Sequence, residues 1–276
     1  MAGSAGKGSF RKGVAVLAFI ASLLVVVWFV AAALGTKFGL WGWQFGLGKM
    51  TIAWGPMLII GAGILSIVAL ILGAIKAPRI QPVLLSIFSL IILFLVFGRL
   101  GHLGSVARTL PPIHDVQTDW SDPVHFSETI MKARGDTSNP VLDDPIIPEA
   151  ASARWPGMGG RRVAEVQMES YQPLQTVIKP VSPEIMFTAA FLVLNDMGIE
   201  VVVNDEENHR LEGTYTSQWY GFKDDIAVRI RPKGEGSEID VRSTSRVGLS
   251  DLGANIERVH SFLERLNAKL AELEKS

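Results

Sequence analysis

The sequence predicts a two-part α+β protein: three transmembrane helices, then an antiparallel sheet of about five strands in the order β-α-β-β-β-α, with two helices on one face. Three observations lead there. Three long apolar runs fill the first hundred of the 276 residues, where Asp and Glu are absent. A polar stretch punctuated by prolines follows, and the last hundred residues alternate short β-branched runs with two helical patterns.

Charge divides the chain the same way. Residues 1–110 hold nine Lys and Arg and no acid, which leaves seventeen basic against twenty-seven acidic residues for the remainder. An acidic domain is a poor match for phosphate backbones, so nucleic acid is excluded as a partner. The chain has no cysteine, so disulfides are excluded too.

The membrane region is assigned to residues 1–108, with spans at about 14–34, 52–75 and 82–100. The first run is about 31 Å long as a helix at 1.5 Å per residue, enough to cross the hydrocarbon. It is longer than the apolar core of a signal peptide, so it is read as a span despite the basic front of Lys7, Arg11 and Lys12. Positive charge favours the cytoplasmic side. Three cations precede span one and Lys76 and Arg79 lie in the second turn, which places the amino terminus inside and the carboxy-terminal domain outside. The expected location is multi-pass in a membrane, with the lipid bilayer as a partner; the family resemblance given below implies that this membrane is a bacterial inner membrane and the domain periplasmic. No acid lies in a span, and Arg99 sits near an end, so an ion pathway is not expected.

Between spans one and two, Trp41, Trp43 and Phe45 stand in a glycine-rich loop. Indole rings settle at headgroup depth, so the loop reads as an interfacial anchor, with docking of a protein partner as the alternative. Residues 109–172 read as an extended Pro-rich connector with a short helix around Ser127 to Arg134. His114, Asp115, Asp119, Asp122 and His125 have metal-ligand chemistry, but their spacing matches no metal motif, so no metal is expected.

Residues 173–276 read as the α+β domain. Leu174 to Lys179 is its first strand. Ser182-Pro183-Glu184 supplies an N-cap, a proline at the first helical position and an acid in the first turn, and Gly198 closes that helix. Ile199 to Val203 and Leu211 to Ser217 are strands, and Asp225 to Arg231 with Glu238 to Ser245 form a hairpin. Alternation turns Ile226, Val228, Ile230, Ile239 and Val241 to the core. It turns Asp225, Arg229, Arg231, Asp240, Arg242, Thr244 and Arg246 away, and symmetric closure at Gly234 and Glu235 sets Arg229 opposite Asp240 and Asp225 opposite Thr244. The last helix starts at Ser250 or Asp251. Leu252, Ile256, Val259, Leu263, Leu266, Leu270 and Leu273 form a heptad seam about 35 Å long, so its last turns should overhang the sheet and could pair with another helix or a second copy.

The candidate site residues are Asp224, Asp225, Arg229, Arg242, Ser243, Ser245, Arg246, Asp251, Asn255 and Arg258. They read either as a ligand site or as a salt-bridge lock joining hairpin to helix. Arg242 and Arg246 near a helix amino end could hold an anion. Asp224 and Asp225 could serve a hydrolase, although neighbouring strand residues point to opposite faces and so cannot face each other as a pair. No nucleophile elbow, metalloprotease His pair or dinucleotide glycine fingerprint occurs, so neither a catalytic set nor a cofactor is expected.

Tyr220-Gly221-Phe222-Lys223-Asp224-Asp225, the run from Asp240 to Gly248, and Ser250-Asp251-Leu252-Gly253-Ala254-Asn255 with Arg258 resemble the signature of the domain of unknown function 1499 family. Pro112 to Asp119 resembles the opening segment of its membrane-anchored members. The resemblance runs from about Pro111 to Leu270, and the family carries no settled activity to transfer. One departure is Tyr171-Gln172-Pro173, which lacks the acid of the Tyr-Pro-Asp-like element expected before the first helix. The function expected is a non-catalytic integral membrane protein whose periplasmic domain binds a partner protein or a small anionic ligand in the bacterial envelope. The alternatives are an accessory subunit of a larger membrane complex and a hydrolase.

Overall fold

The computed structural model describes residues 3–273, and the side chains from Phe10 onward. These residues form two compact units: those up to 105 together with 218–221, and 106–217 together with 222 onward.

The first unit is helical. Helix α1 (Gly3–Lys37) is followed by a π-helical segment, Gln44–Trp54, that runs into α2 (Gly55–Ile75), and α3 spans Ile80–Thr109. Phe10–Lys37, Gln44–Ile75 and Ile80–Thr109 are each long and apolar enough to cross a membrane. Small residues make up one of the two places where α1 and α2 meet. Ala15 and Ala18 cluster with Ala69, and Val25 with Ile59 and Ala62. Small side chains let helix backbones approach closely where lipid offers no hydrophobic drive.

Two spans are longer than their apolar runs. The second begins at Gln44, because the expected aromatic loop folds back and winds into the helix. Trp41 lies across Gly35, where any Cβ would collide with the indole, and its Nε1 donates to the Ala32 carbonyl at 3.3 Å. Phe45 packs edge-on between Trp41 and Trp54, at ring separations of 5.9 and 5.8 Å. Trp41 is therefore half-buried in the helical unit, and Trp43 stands at the amino end of the π-helical segment. The third span continues to Thr109, because no helix breaker intervenes before Pro111-Pro112.

The second unit is an antiparallel sheet with helices. Its strands are β1 (Asp115–Gln117), β2 (Val177–Lys179), β3 (Glu200–Asp205), β4 (Arg210–Thr216), β5 (Lys223–Lys233) and β6 (Gly236–Ser245), in the order β1-β6-β5-β4-β3 with β2 also on β6. From Val177 onward the chain runs β-α-β-β-β-α, as the sequence predicts, with α6 (Pro183–Asp196) and α7 (Ala254–Leu273) on one face. Ser182 caps α6 by accepting from Ile185 N. The β5–β6 register pairs Arg231 with Glu238, Arg229 with Asp240 and Asp225 with Thr244 across a two-residue turn, the alignment expected from the sequence. Its inward residues Ile226, Val228, Ile230, Ile239 and Val241 join Met186, Leu194, Val259, Phe262 and Leu266 in one buried core.

Two expectations change. The seam of α7 packs on this core, with Leu270 buried and Leu273 against it, so it is spent inside the domain rather than overhanging it. Phe262, wholly buried, takes a central place in the seam, whereas Leu252 precedes the helix and is exposed. The stretch read as a connector also contributes structure: β1, α4 (Glu128–Arg134), a 3-10 turn at Glu149–Ala153 and α5 (Val163–Ser170). β1 supplies the sixth strand, and residues 118–145 lie over the sheet face opposite the two helices, as the contacts below show.

Candidate functional site

Alternation along β5 and β6 sends neighbouring polar residues to opposite faces, and the structure gathers the ten candidates into two buried networks with the sheet between them. On the helix face, at the carboxy end of β6, Arg258 from α7 donates to Asp224 Oδ2 at 2.7 Å and to Ser243 Oγ at 3.0 Å. Its guanidinium lies 4.6 Å from the Tyr215 ring centre. Asn255 completes the set: its Oδ1 accepts from Ser243 Oγ at 2.7 Å and also from Arg258, while its Nδ2 donates to Ser245 Oγ at 2.9 Å and the His114 carbonyl at 3.0 Å. Asp251 caps α7 by accepting from Gly253 N at 2.8 Å and Asn255 N at 2.9 Å.

Burial shapes the titration here. The Asp251 carboxyl is pushed up to about 6, by desolvation first and by the neighbouring Asp224 charge. Asp251 is mostly covered, and its carboxyl lies close to the start of α7, Asp224 and Tyr171. The Tyr171 hydroxyl is buried without a hydrogen-bond partner among the described residues, and burial plus the Asp251 charge raises it above the ordinary phenol range. Desolvation also lowers His114.

The other face is held differently. Asp225, wholly buried, accepts Arg134 Nη1 at 2.7 Å, Arg246 Nε and Nη2 at 2.9 and 2.7 Å, and the Thr214 hydroxyl at 2.7 Å. Arg242, also wholly buried, forks onto Asp115 at 3.0 and 2.6 Å and donates to the Val124 and Leu142 carbonyls. Asp240 fills both oxygens with Thr118, Thr176, Arg229 and Arg231. Glu212 accepts from Ser127 and Arg210. Burial lowers Arg134 against the pull of Asp225, yet a guanidinium stays charged in proteins.

The expected polar outer face is thus not open. Thr118, Val124, Ser127, Arg134 and Leu142 of the 118–145 segment cover it, because they supply the donors and acceptors that its charges need. The lock reading also takes a different form. Arg242 and Arg246 tie the hairpin to the residues that precede it, and Arg258 with Asp224 makes the tie to the last helix. An anion could not reach Arg242 without displacing Asp115.

Arg134, Asp115, Thr118, Thr214, Glu212, Tyr171 and Tyr215 belong to these networks and carry no sequence signal of it. Asp115 stood out only for its ligand chemistry. His114, Asp119, Asp122 and His125 do not converge: Asp119 binds the Ser121 backbone and hydroxyl, Asp122 pairs with Arg229 and Arg231, and His125 faces Asp143 at 3.4 Å. Among the described residues no group of three or more His, Asp or Glu is placed to hold a metal.

Residues 115–266 match the family described as "Protein of unknown function (DUF1499)". The chain belongs to this family. The matched span begins at β1 and ends within α7, so DUF1499 takes in both networks and the covering segment. No curated protein matches the chain. Among solved structures, TTHA0849 from Thermus thermophilus is similar at 16% identity and Ara h 8.0201 at 15%, each covering 36% of this DUF1499 chain and 95% of its own. Both give a TM-score of 0.27, which is too low to carry an argument about fold or function.

Proposed function

We propose that this DUF1499 protein is a non-catalytic integral membrane protein whose domain binds a partner protein or small anionic ligand in the bacterial envelope. In this reading it sits in the inner membrane with its amino terminus cytoplasmic and its domain periplasmic. The observation that carries the non-catalytic reading is the state of the two acids best suited to catalysis. Asp224 is engaged by Arg258, and Asp225 by Arg134, Arg246 and Thr214, on opposite faces of the sheet. A general base must reach a substrate proton with a free lone pair; both oxygens of Asp225 are taken by Arg134, Arg246 and Thr214, and Asp224 is held through Oδ2 by Arg258. The charged blocks of the signature therefore serve the fold, and binding falls to the exterior of the domain.

The test is gentle detergent extraction of the full-length protein and of a form lacking residues 1–105, followed by mass spectrometry of what is retained. The reading expects the same partner or small molecule with both forms. Retention by the full-length protein alone would instead make it an accessory subunit held through its spans. Turnover of a substrate that Asp224→Asn abolishes without lowering the melting temperature would overturn the non-catalytic reading.

A further inference from the structure

At one end of the helical unit, α1 is stapled to the turn between α2 and α3. Arg11 donates through Nη1 to the Lys76 carbonyl at 2.5 Å and through Nη2 to the Ala77 carbonyl at 3.2 Å. Arg79 donates back to the Ile75 carbonyl at 3.4 Å. Arg11, Lys12, Lys76 and Arg79 are thereby gathered at one place, although 63 residues of chain separate Lys12 from Lys76. Residues 1–105 contain eight Lys and Arg and no Asp or Glu.

The second observation concerns what adjoins the cations. Phe10 is 66%, Ile75 57% and Ile80 78% exposed, and each is a direct sequence neighbour of a patch cation. Cations edged by exposed apolar side chains at the ends of membrane-length helices match a ligand with an anionic head and hydrocarbon chains. A soluble phosphate would use only the first half of that surface.

We infer that Lys12, Lys76 and Arg79, held together by the Arg11 staple, bind the phosphate of an anionic phospholipid, with Phe10, Ile75 and Ile80 against its acyl chains. Guanidinium and ammonium donors make charge-assisted hydrogen bonds to phosphate oxygens, and the Arg11 staple fixes where those donors stand. This site is independent of what the domain binds.

The experiment uses full-length protein in mild detergent, offered phosphatidylglycerol or phosphatidylcholine in mixed micelles, with bound lipid counted by native mass spectrometry. The parent is expected to retain phosphatidylglycerol in preference. Lys76→Gln with Arg79→Gln, which leaves the staple intact, should lower that retention about tenfold, and Lys12→Gln alone by about threefold. Lys49→Gln, elsewhere in the helical unit, should leave it unchanged. Equal retention of the two lipids would overturn the inference, as would undiminished phosphatidylglycerol retention in the double variant or an equal loss in Lys49→Gln.

Discussion

The two faces of the β5–β6 hairpin share one backbone and are buried by opposite means. Toward α6 and α7 the sheet presents isoleucine and valine, and burial there is apolar except for the cluster around Asn255 at one end. Toward residues 118–145 it presents Asp225, Asp240, Arg242 and Thr244, with a small apolar cluster of Val124, Phe126, Ile130 and Ala227 alongside. Apolar contact is non-directional and tolerates many arrangements. A forked Arg–carboxylate pair does not, so the covering segment has its register dictated rather than merely favoured. One face supplies cohesion and the other specifies placement.

That contrast can be broken at Asp225. Asp225→Ala strips the shared carboxylate from Arg134 and Arg246 and leaves buried guanidinium charge, which should cost about 3–5 kcal/mol, read as a lowered denaturation midpoint of the full-length protein in detergent. Exchange of the 128–139 amides should rise with it. If the segment stays protected, the ion pairs are not what holds it. On the helix face Arg258→Met should cost less, about 2–3 kcal/mol, because the replacement keeps apolar contact with Tyr215 and the buried Asp224 keeps 7% of its surface exposed where Asp225 has none.

The smallest expected effect is a gain. Asp251 has a folded pKa of about 6 against an ordinary 3.8, so the unfolded chain releases this proton first as pH rises. Its contribution therefore turns against folding between about pH 4 and pH 6, by roughly 3 kcal/mol once ionised. Asp251→Asn removes that penalty but replaces one accepting oxygen with an amide nitrogen. The variant should match the parent near pH 4 and exceed it by about 1–2 kcal/mol at pH 7.5. Stability curves that stay parallel across that range would show that Asp251 is not desolvated.

Much of the fold was legible because it rests on periodicity. The spans, the Ser182 cap, the hairpin register and the inward residues of β5 and β6 all follow from local spacing, which a sequence displays directly. The helix-face network was also within reach, since Asp224, Ser243, Ser245, Asn255 and Arg258 share a face or a helix start. The opposite network was not. Arg134 meets Asp225 across 91 residues and Asp115 meets Arg242 across 127, and no periodicity links such pairs. The alternation correctly turned Arg242 away from the core, but an outward direction on a strand does not reveal what lies over it. The stretch between Thr109 and Gln172 looked like connector because its prolines forbid long elements, and short ones sufficed to cover the sheet. Likewise the glycines around Trp41 resembled a loop, whereas two of them, Gly35 and Gly46, leave room for its indole to lie against α1.

The long reach of the Arg134–Asp225 bond also has a temporal side. The covering segment leaves the ribosome before the strands it must sit on, and at about 5–20 residues per second the 91-residue gap lasts roughly 5–20 seconds. An oily strap would spend that interval seeking any greasy surface, the adjacent bilayer included. A strap whose anchors are arginine, serine and threonine is content in water while it waits, and becomes adhesive only when the matching carboxylates arrive.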